Sequence, residues 1–205
     1  FDPEASSLQR QIKPITNSFF YAIPLIIGGL GLGFGFRAGL FNIGGQGQVI
    51  FGALAAVWVG FSLHLPPVLH TILALLAAII AGALYAGIAG FLKARTGANE
   101  VIVTIMLNSI AGLALAQKAW QVPGSNQPQT PVVADTAAFT PLLPNPFKLH
   151  AGLIVAIIAV VVFWWILDRS TLGFEVKAVG ANPDAARTAG ISVGRITTIT
   201  MMISG

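Results

Sequence analysis

The feature that most constrains this chain is the length of its uncharged runs. No Asp, Glu, Lys or Arg occurs from Pro14 to Phe36, and none occurs from Ala38 to Leu92. One membrane-spanning helix needs roughly 20 apolar residues, so the second run alone is long enough for two. His64 and the pair Pro66-Pro67 place the break between them at Ser62 to Pro67. Two further apolar runs, Val101 to Gln117 and Ala151 to Leu167, are slightly shorter, and another rises from Ile196. These runs are apolar all round, whereas a soluble helical core shows a polar face at helical period. Only 9% of the residues are charged and the mean hydropathy is +0.81. A chain with so little polar surface needs a bilayer around it.

The expected fold class is therefore all-α: a polytopic transmembrane helix bundle forming a single domain over residues 1–205. The expected spans are about 15–36, 40–61, 68–92, 99–120 and 151–167, with a sixth at 196–205 cut short. The chain begins without Met and ends inside a rising apolar segment, which points to part of a longer protein. Loop charge sets the orientation. The segment 168–195 carries Arg169, Lys177, Arg187 and Arg195 and is expected to be cytoplasmic. The slightly longer segment 119–150 carries only Lys148 and is expected to be external. Alternation puts Arg37, Lys93 and Arg95 inside and residues 1–14 outside. Arg10 and Lys13 argue mildly against an external start, which an additional helix before residue 1 would make natural. The loop 121–150 is proline-rich (Pro123, Pro128, Pro131, Pro141, Pro144, Pro146), a composition that favours extended chain. It reads as a plain connection or as a docking surface for an extracellular partner.

The composition excludes several functions. The net charge of +4 is scattered between apolar runs, which is no nucleic-acid footprint. There is no cysteine, and His64, His70 and His150 lack metal-ligand spacing. No catalytic triad or paired carboxylates can be assembled at membrane depth, so no catalytic residue is assigned. The glycines from Gly28 to Gly47 lack the Gly-Lys-Ser/Thr ending of a phosphate loop, so ATP is not expected to bind this chain. The four-residue spacings Gly29-Gly33, Gly31-Gly35 and Gly35-Gly39 instead suit close helix packing.

Three polar constellations stand out. Asn42, Gln46 and Gln48 lie among Gly44, Gly45 and Gly47 inside the longest uncharged run. Three glycines weaken a helix by roughly 1 kcal/mol each relative to Ala. Unwound backbone at that depth must be buried in protein or line a cavity. A broken or re-entrant helix near mid-bilayer is a common transport site, and amides both donate and accept hydrogen bonds. The alternative is interhelical hydrogen bonding. Glu100, Thr104 and Asn108 recur every four residues and share a helix face. Asn99 is placed to cap that helix and Glu100 to favour its dipole; the stripe could equally face a water-filled path. In the loop 168–195, Asn182 reads as an N-cap, Pro183 as the first helical residue, Asp184 as first-turn acid and Gly190 as the stop. So short a helix is marginal alone and must dock, into a partner's groove or on the underside of its own bundle.

Arg37 to Gln48 resembles the glycine-rich second-helix region of ABC transporter permeases for nucleosides and simple sugars, the ribose-type group related to branched-chain amino-acid permeases. Leu172 to Ile191 resembles that family's cytoplasmic coupling loop, and Thr96 to Asn108 also fits. The resemblance implies a permease subunit in the cytoplasmic (inner) membrane. It implies a second permease subunit, a cytoplasmic ATP-binding subunit that holds the ATP, and an extracellular or periplasmic substrate-binding protein. The polar constellations read above, Asn42, Gln46 and Gln48 with Glu100, Thr104 and Asn108, are the candidate substrate path. The resemblance places ATPase coupling at Glu175, Gly180, Asn182, Pro183, Asp184, Ala185, Ala186, Arg187 and Gly190. The competing expectations are a stand-alone secondary transporter or channel, a structural subunit without a pore, and a permease for branched-chain amino acids.

Overall fold

The computed structural model describes residues 7–116, 130–143 and 147–205. Among these the chain is a bundle of α-helices: α1 Ser7–Arg37, α2 Gly45–Ser62, α3 Pro67–Thr96, α4 Glu100–Leu115, α5 Gly152–Arg169, α6 Thr171–Ala181, α7 Pro183–Thr188 and α8 Val193–Ser204. Among the described residues, four segments are long and apolar enough to cross a membrane: Ile12–Arg37, α2, α3 and α5. Large apolar side chains cover much of their outer surface, among them Leu25, Val68, Ile79 and Trp165. Lipid can solvate these side chains at no cost, where water cannot.

Several boundaries differ from the sequence reading, each for a local reason. The second helix starts at Gly45, not near 40. Gly39 takes φ +70, and a Schellman motif closes α1: Gly39 N–H donates to Phe36 O (3.1 Å) and Leu40 N–H to Gly35 O (3.0 Å). Residues 40–43 then run without helix. The fourth helix ends at Leu115 instead of 120; residues 117–129 lie outside the described residues. The third runs on past 92 to Thr96, and the fifth to Arg169.

The segment 168–195 is not a loop with one short helix. Ser170 ends α5 and caps α6, accepting from Gly173 N–H at 3.1 Å while donating to Ile166 O at 2.6 Å. Ser170 offers an N-cap for α6, but Gly173 and Gly180 inside the helix weaken its local signal. Its buried face, Val176 and Val179, packs into the main core beside Phe34, Leu40 and Met201. Gly180 sits so close to the Arg37 carbonyl that a Cβ there would overlap it.

The helix α8 wedges between α1 and α3. A Cβ on Gly31 would fall 2.6 Å from Ser204 O, and one on Gly90 2.8 Å from Met201 Cβ. The glycine spacing of α1 thus divides: Gly31 and Gly35 face α8, while Gly28, Gly29 and Gly33 meet nothing within 4 Å. Arg37, Lys93, Arg187 and Gly194 come together at one end of the bundle, with Lys177 paired to Asp168 nearby. At the opposite end, residues 133–138 strap across α2 and α3. Val133 seats against Gly60, Ala134 N–H donates to Gly60 O (3.0 Å), and the Thr136 hydroxyl meets His70. The prolines Pro123, Pro128, Pro144 and Pro146 of this loop lie outside the described residues.

Candidate functional site

Three contacts fix where the glycine-rich segment sits along the bundle. Val59 O accepts from His70 near one end, Gln48 lies beside Gly82, and Lys93 pairs with Glu100 at the basic end. Residues 70 to 82 of α3 rise about 18 Å and residues 82 to 93 about 16 Å. Gln48 and the start of α2 therefore lie half-way between the ends of an apolar slab about 30 Å thick.

Extended backbone entering such a slab carries N–H groups that no helix satisfies. Here α4 satisfies them with its polar stripe. Phe41 N–H donates to Glu100 Oε1 (3.5 Å), Ile43 N–H to Thr104 Oγ1 (3.3 Å) and Gly47 N–H to Asn108 Oδ1 (2.8 Å). Asn108 Nδ2 returns a bond to Ile43 O at 2.9 Å. The eight residue steps from Glu100 to Asn108 rise about 12 Å, so the segment climbs alongside α4 from the basic end to mid-height before α2 begins. Asn99 caps α4 by accepting from Val101 N–H at 2.9 Å.

A second set of bonds holds the segment from the other side. Asn42 Oδ1 accepts from Gly44 N–H (2.8 Å) and from Gln48 Nε2 (3.0 Å), while Asn42 Nδ2 donates to Ser204 Oγ (2.9 Å). Asn42 and Gln48 are both buried. Tyr85 closes the floor: its ring stacks on Phe51 at 4.0 Å between centroids, and its hydroxyl donates to Leu107 O at 2.7 Å.

Of the six side chains read as a transport path, five are engaged within this clasp: Asn42, Gln48, Glu100, Thr104 and Asn108. Gln46 is not. It is exposed on the far side of α2 and makes no side-chain hydrogen bond among the described residues. Sequence reasoning missed three participants. Lys93 stands seven residues before Glu100 across the Gly97 turn, a spacing that could have revealed it. Ser204 and Tyr85 are remote in sequence and gave no signal.

At the basic end, Asn182 Oδ1 accepts from Asp184 N–H (3.0 Å) and Ala185 N–H (3.1 Å), and Gly190 ends α7 at φ +86. Ala186 is buried in the bundle's core, whereas Pro183, Asp184, Ala185 and Arg187 are exposed. The small helix thus docks on its own bundle through one alanine and leaves its other face free. The Arg187–Asp184 pair (3.3 Å) is open to solvent and adds little stability. Glu175 is half-buried on α6, and Gly180 abuts α1. A cavity of about 370 Å³ lies between this layer and the bundle, lined by Leu40, Lys93, Val179, Pro183, Arg187 and Thr197 among others. Among the described residues, no group of three or more His, Asp or Glu side chains is placed to hold a metal ion.

Residues 15–205 match the family described as the branched-chain amino acid transport system / permease component. The chain belongs to this family. Its members are transport subunits, not enzymes, and this chain is a multi-pass protein of the cytoplasmic membrane. It is 43% identical over 186 residues to the guanosine ABC transporter permease protein NupP of Bacillus subtilis, covering 89% of this chain and 53% of that protein. It is 37% identical over 203 residues to the glucose ABC transporter permease protein TsgB13 of Haloferax volcanii, covering 93% and 53%. It is 37% identical over 194 residues to the nucleoside ABC transporter permease protein NupB of Lactococcus lactis, covering 89% and 53%. The chain thus spans about half the length of the curated relatives it matches. No solved structure matches it.

Proposed function

We propose that this chain forms part of the translocation path of an ABC importer for a nucleoside or simple sugar, and that a separate ATPase subunit drives it. The observation that carries this reading is the start of α2 at mid-bilayer, after an extended segment whose backbone α4 holds in place. Interrupted helices of this kind bring polar groups to the membrane centre without unsatisfied backbone. The family's description favours amino acids, but the charge pattern favours a neutral solute. Among the described residues, no Asp, Glu, Lys or Arg lies near the height of Gln48. An amino acid's ammonium and carboxylate would find no counter-charge there. The names of the relatives point the same way.

In this reading the basic end faces the cytoplasm, as the positive-inside rule requires. The free face of α7, with Asp184, Ala185 and Arg187, meets the ATP-binding subunit. Since α7 is tied through Ala186, α6 and Gly180 to the C-terminus of α1, ATPase closure would move α1 and the segment after it. The strap end faces outward toward a substrate-binding protein, and a second permease subunit completes the path. Each partner acts through its differential affinity for the inward and outward states.

The test is reconstitution of the intact transporter in proteoliposomes with its ATPase and binding protein. ATP-dependent uptake of labelled guanosine, uridine or glucose is expected; uptake of leucine alone would overturn the substrate assignment. Ala185→Glu is expected to reduce copurification with the ATPase at least tenfold while the permease remains folded. Undiminished copurification would remove α7 from the coupling role. Ala186→Glu is unsuitable for this purpose, because it buries an unpaired carboxylate in the permease itself.

A further inference from the structure

We propose that Gln46 is the α2 side chain that touches the transported solute, and that Asn42, Gln48 and the α4 side chains Glu100, Thr104 and Asn108 are scaffold. The inference rests on the permease reading above and assigns the contact within it.

The argument begins with what each polar group already does. Asn42 is bonded to Gly44, Gln48 and Ser204. Thr104 serves Ile43 N–H and donates to Glu100 O at 2.7 Å. Asn108 serves Gly47 N–H and Ile43 O. Glu100 serves Phe41 N–H and Lys93. A solute recruiting any of these would first break the bonds that hold the unwound backbone, and an unpaired buried N–H or C=O costs about 1–3 kcal/mol. Gln46 carries no such obligation.

Its position also needs a partner. Gln46 lies two residues before Gln48, at the height where the slab is most apolar. Its exposed face on α2 continues through Val49 and Ala53, three and seven residues on. A primary amide left in hydrocarbon costs several kcal/mol, so an amide on this face implies something polar against it. Small and apolar neighbours leave room for a ligand beside it and offer no competing hydrogen bond. An uncharged amide presents one acceptor and two donor hydrogens, complementary to a vicinal diol or to a nucleobase edge.

The chain contains no cysteine, so single replacements report cleanly. In vesicles carrying the intact transporter, Gln46→Cys is expected to react with a small charged methanethiosulfonate reagent. Leu25→Cys, on the apolar outer face of α1, is expected to stay unreactive. Millimolar guanosine, uridine or glucose should slow the Gln46→Cys reaction at least fivefold. A reaction no faster than that of Leu25→Cys, or one indifferent to all three solutes, overturns the inference. The second arm is uptake kinetics. Loss of one ligand hydrogen bond corresponds to about a tenfold rise in KM. Gln46→Leu should show that rise with unchanged thermal stability, and Gln46→Asn should recover part of it. If the parent protein transports none of the three solutes, the permease reading fails. If it transports and Gln46→Leu keeps the parental KM, only the role of Gln46 fails.

Discussion

Residues 38–44 and residues 130–138 both leave the helical pattern, in opposite surroundings. The first stretch runs inside the apolar slab. Its backbone donors at Phe41, Ile43 and Gly44 are met by the side chains of Glu100, Thr104 and Asn42. The second lies on the outer end of the bundle, where water can satisfy backbone groups. It is held by a few pins: Val133 on Gly60, Ala134 N–H on Gly60 O, and Thr136 on His70. His70 is fully buried. Its Nε2 donates to Val59 O (3.1 Å), since a carbonyl can only accept, and its Nδ1 meets the Thr136 hydroxyl at 2.7 Å. Irregular backbone thus demands dedicated polar side chains where solvent is absent, and only anchoring where solvent is present.

This contrast can be broken by experiment. The largest effect is expected for Asn108→Ala, which leaves Gly47 N–H and Ile43 O unpaired at mid-height. A loss of about 3 kcal/mol follows from two orphaned backbone groups, read as thermal unfolding in detergent. A loss below about 0.5 kcal/mol would mean that the clasp is not what holds the segment. Next comes Glu100→Gln. It keeps an acceptor for Phe41 N–H but unpairs Lys93, whose side chain is 33% exposed and can reach water. The expected loss is therefore about 2 kcal/mol, below that of a fully buried pair. Thr136→Val removes one pin of the strap and should cost about 1 kcal/mol. Faster hydrogen exchange confined to residues 130–138 would show that the outer stretch loosens without disturbing the inner one; equal loosening of 38–44 would erase the distinction. The smallest effect is a gain. The buried Thr200 hydroxyl on α8 has no hydrogen-bond partner among the described residues, so Thr200→Val should raise stability by about 0.5 kcal/mol. A loss there would indicate a partner, such as water, for that hydroxyl.

Much of the architecture was legible in the residues themselves. Long uncharged runs marked α1, α2, α3 and α5. Asn99, Asn182 and Gly190 marked helix ends because capping is a local matter of one side chain and a few backbone groups. The glycine-rich stretch announced unwound backbone. What misled was a segment whose local signals compete. Gly173 and Gly180 lower the helix propensity of 171–181, yet α6 is a helix, because Val176 and Val179 gain a core and both glycines are needed where α6 touches α5 and α1.

The sequence by itself determined that Glu100, Thr104 and Asn108 share one helix face, since a period of four residues is set by helix geometry alone. It also determined that the backbone near Gly44 could not continue a helix cheaply. Only the tertiary structure decided what that face meets. Ser204 reaches Asn42 across 162 positions of chain, and Tyr85 and Lys93 arrive on a different helix. A repeating pattern fixes direction about one helix axis, but whether the opposing surface is water, solute or a neighbour's backbone depends on how separate helices pack. That packing left Asn42, Gln48, Glu100, Thr104 and Asn108 holding the chain, and Gln46 without a side-chain hydrogen bond among the described residues.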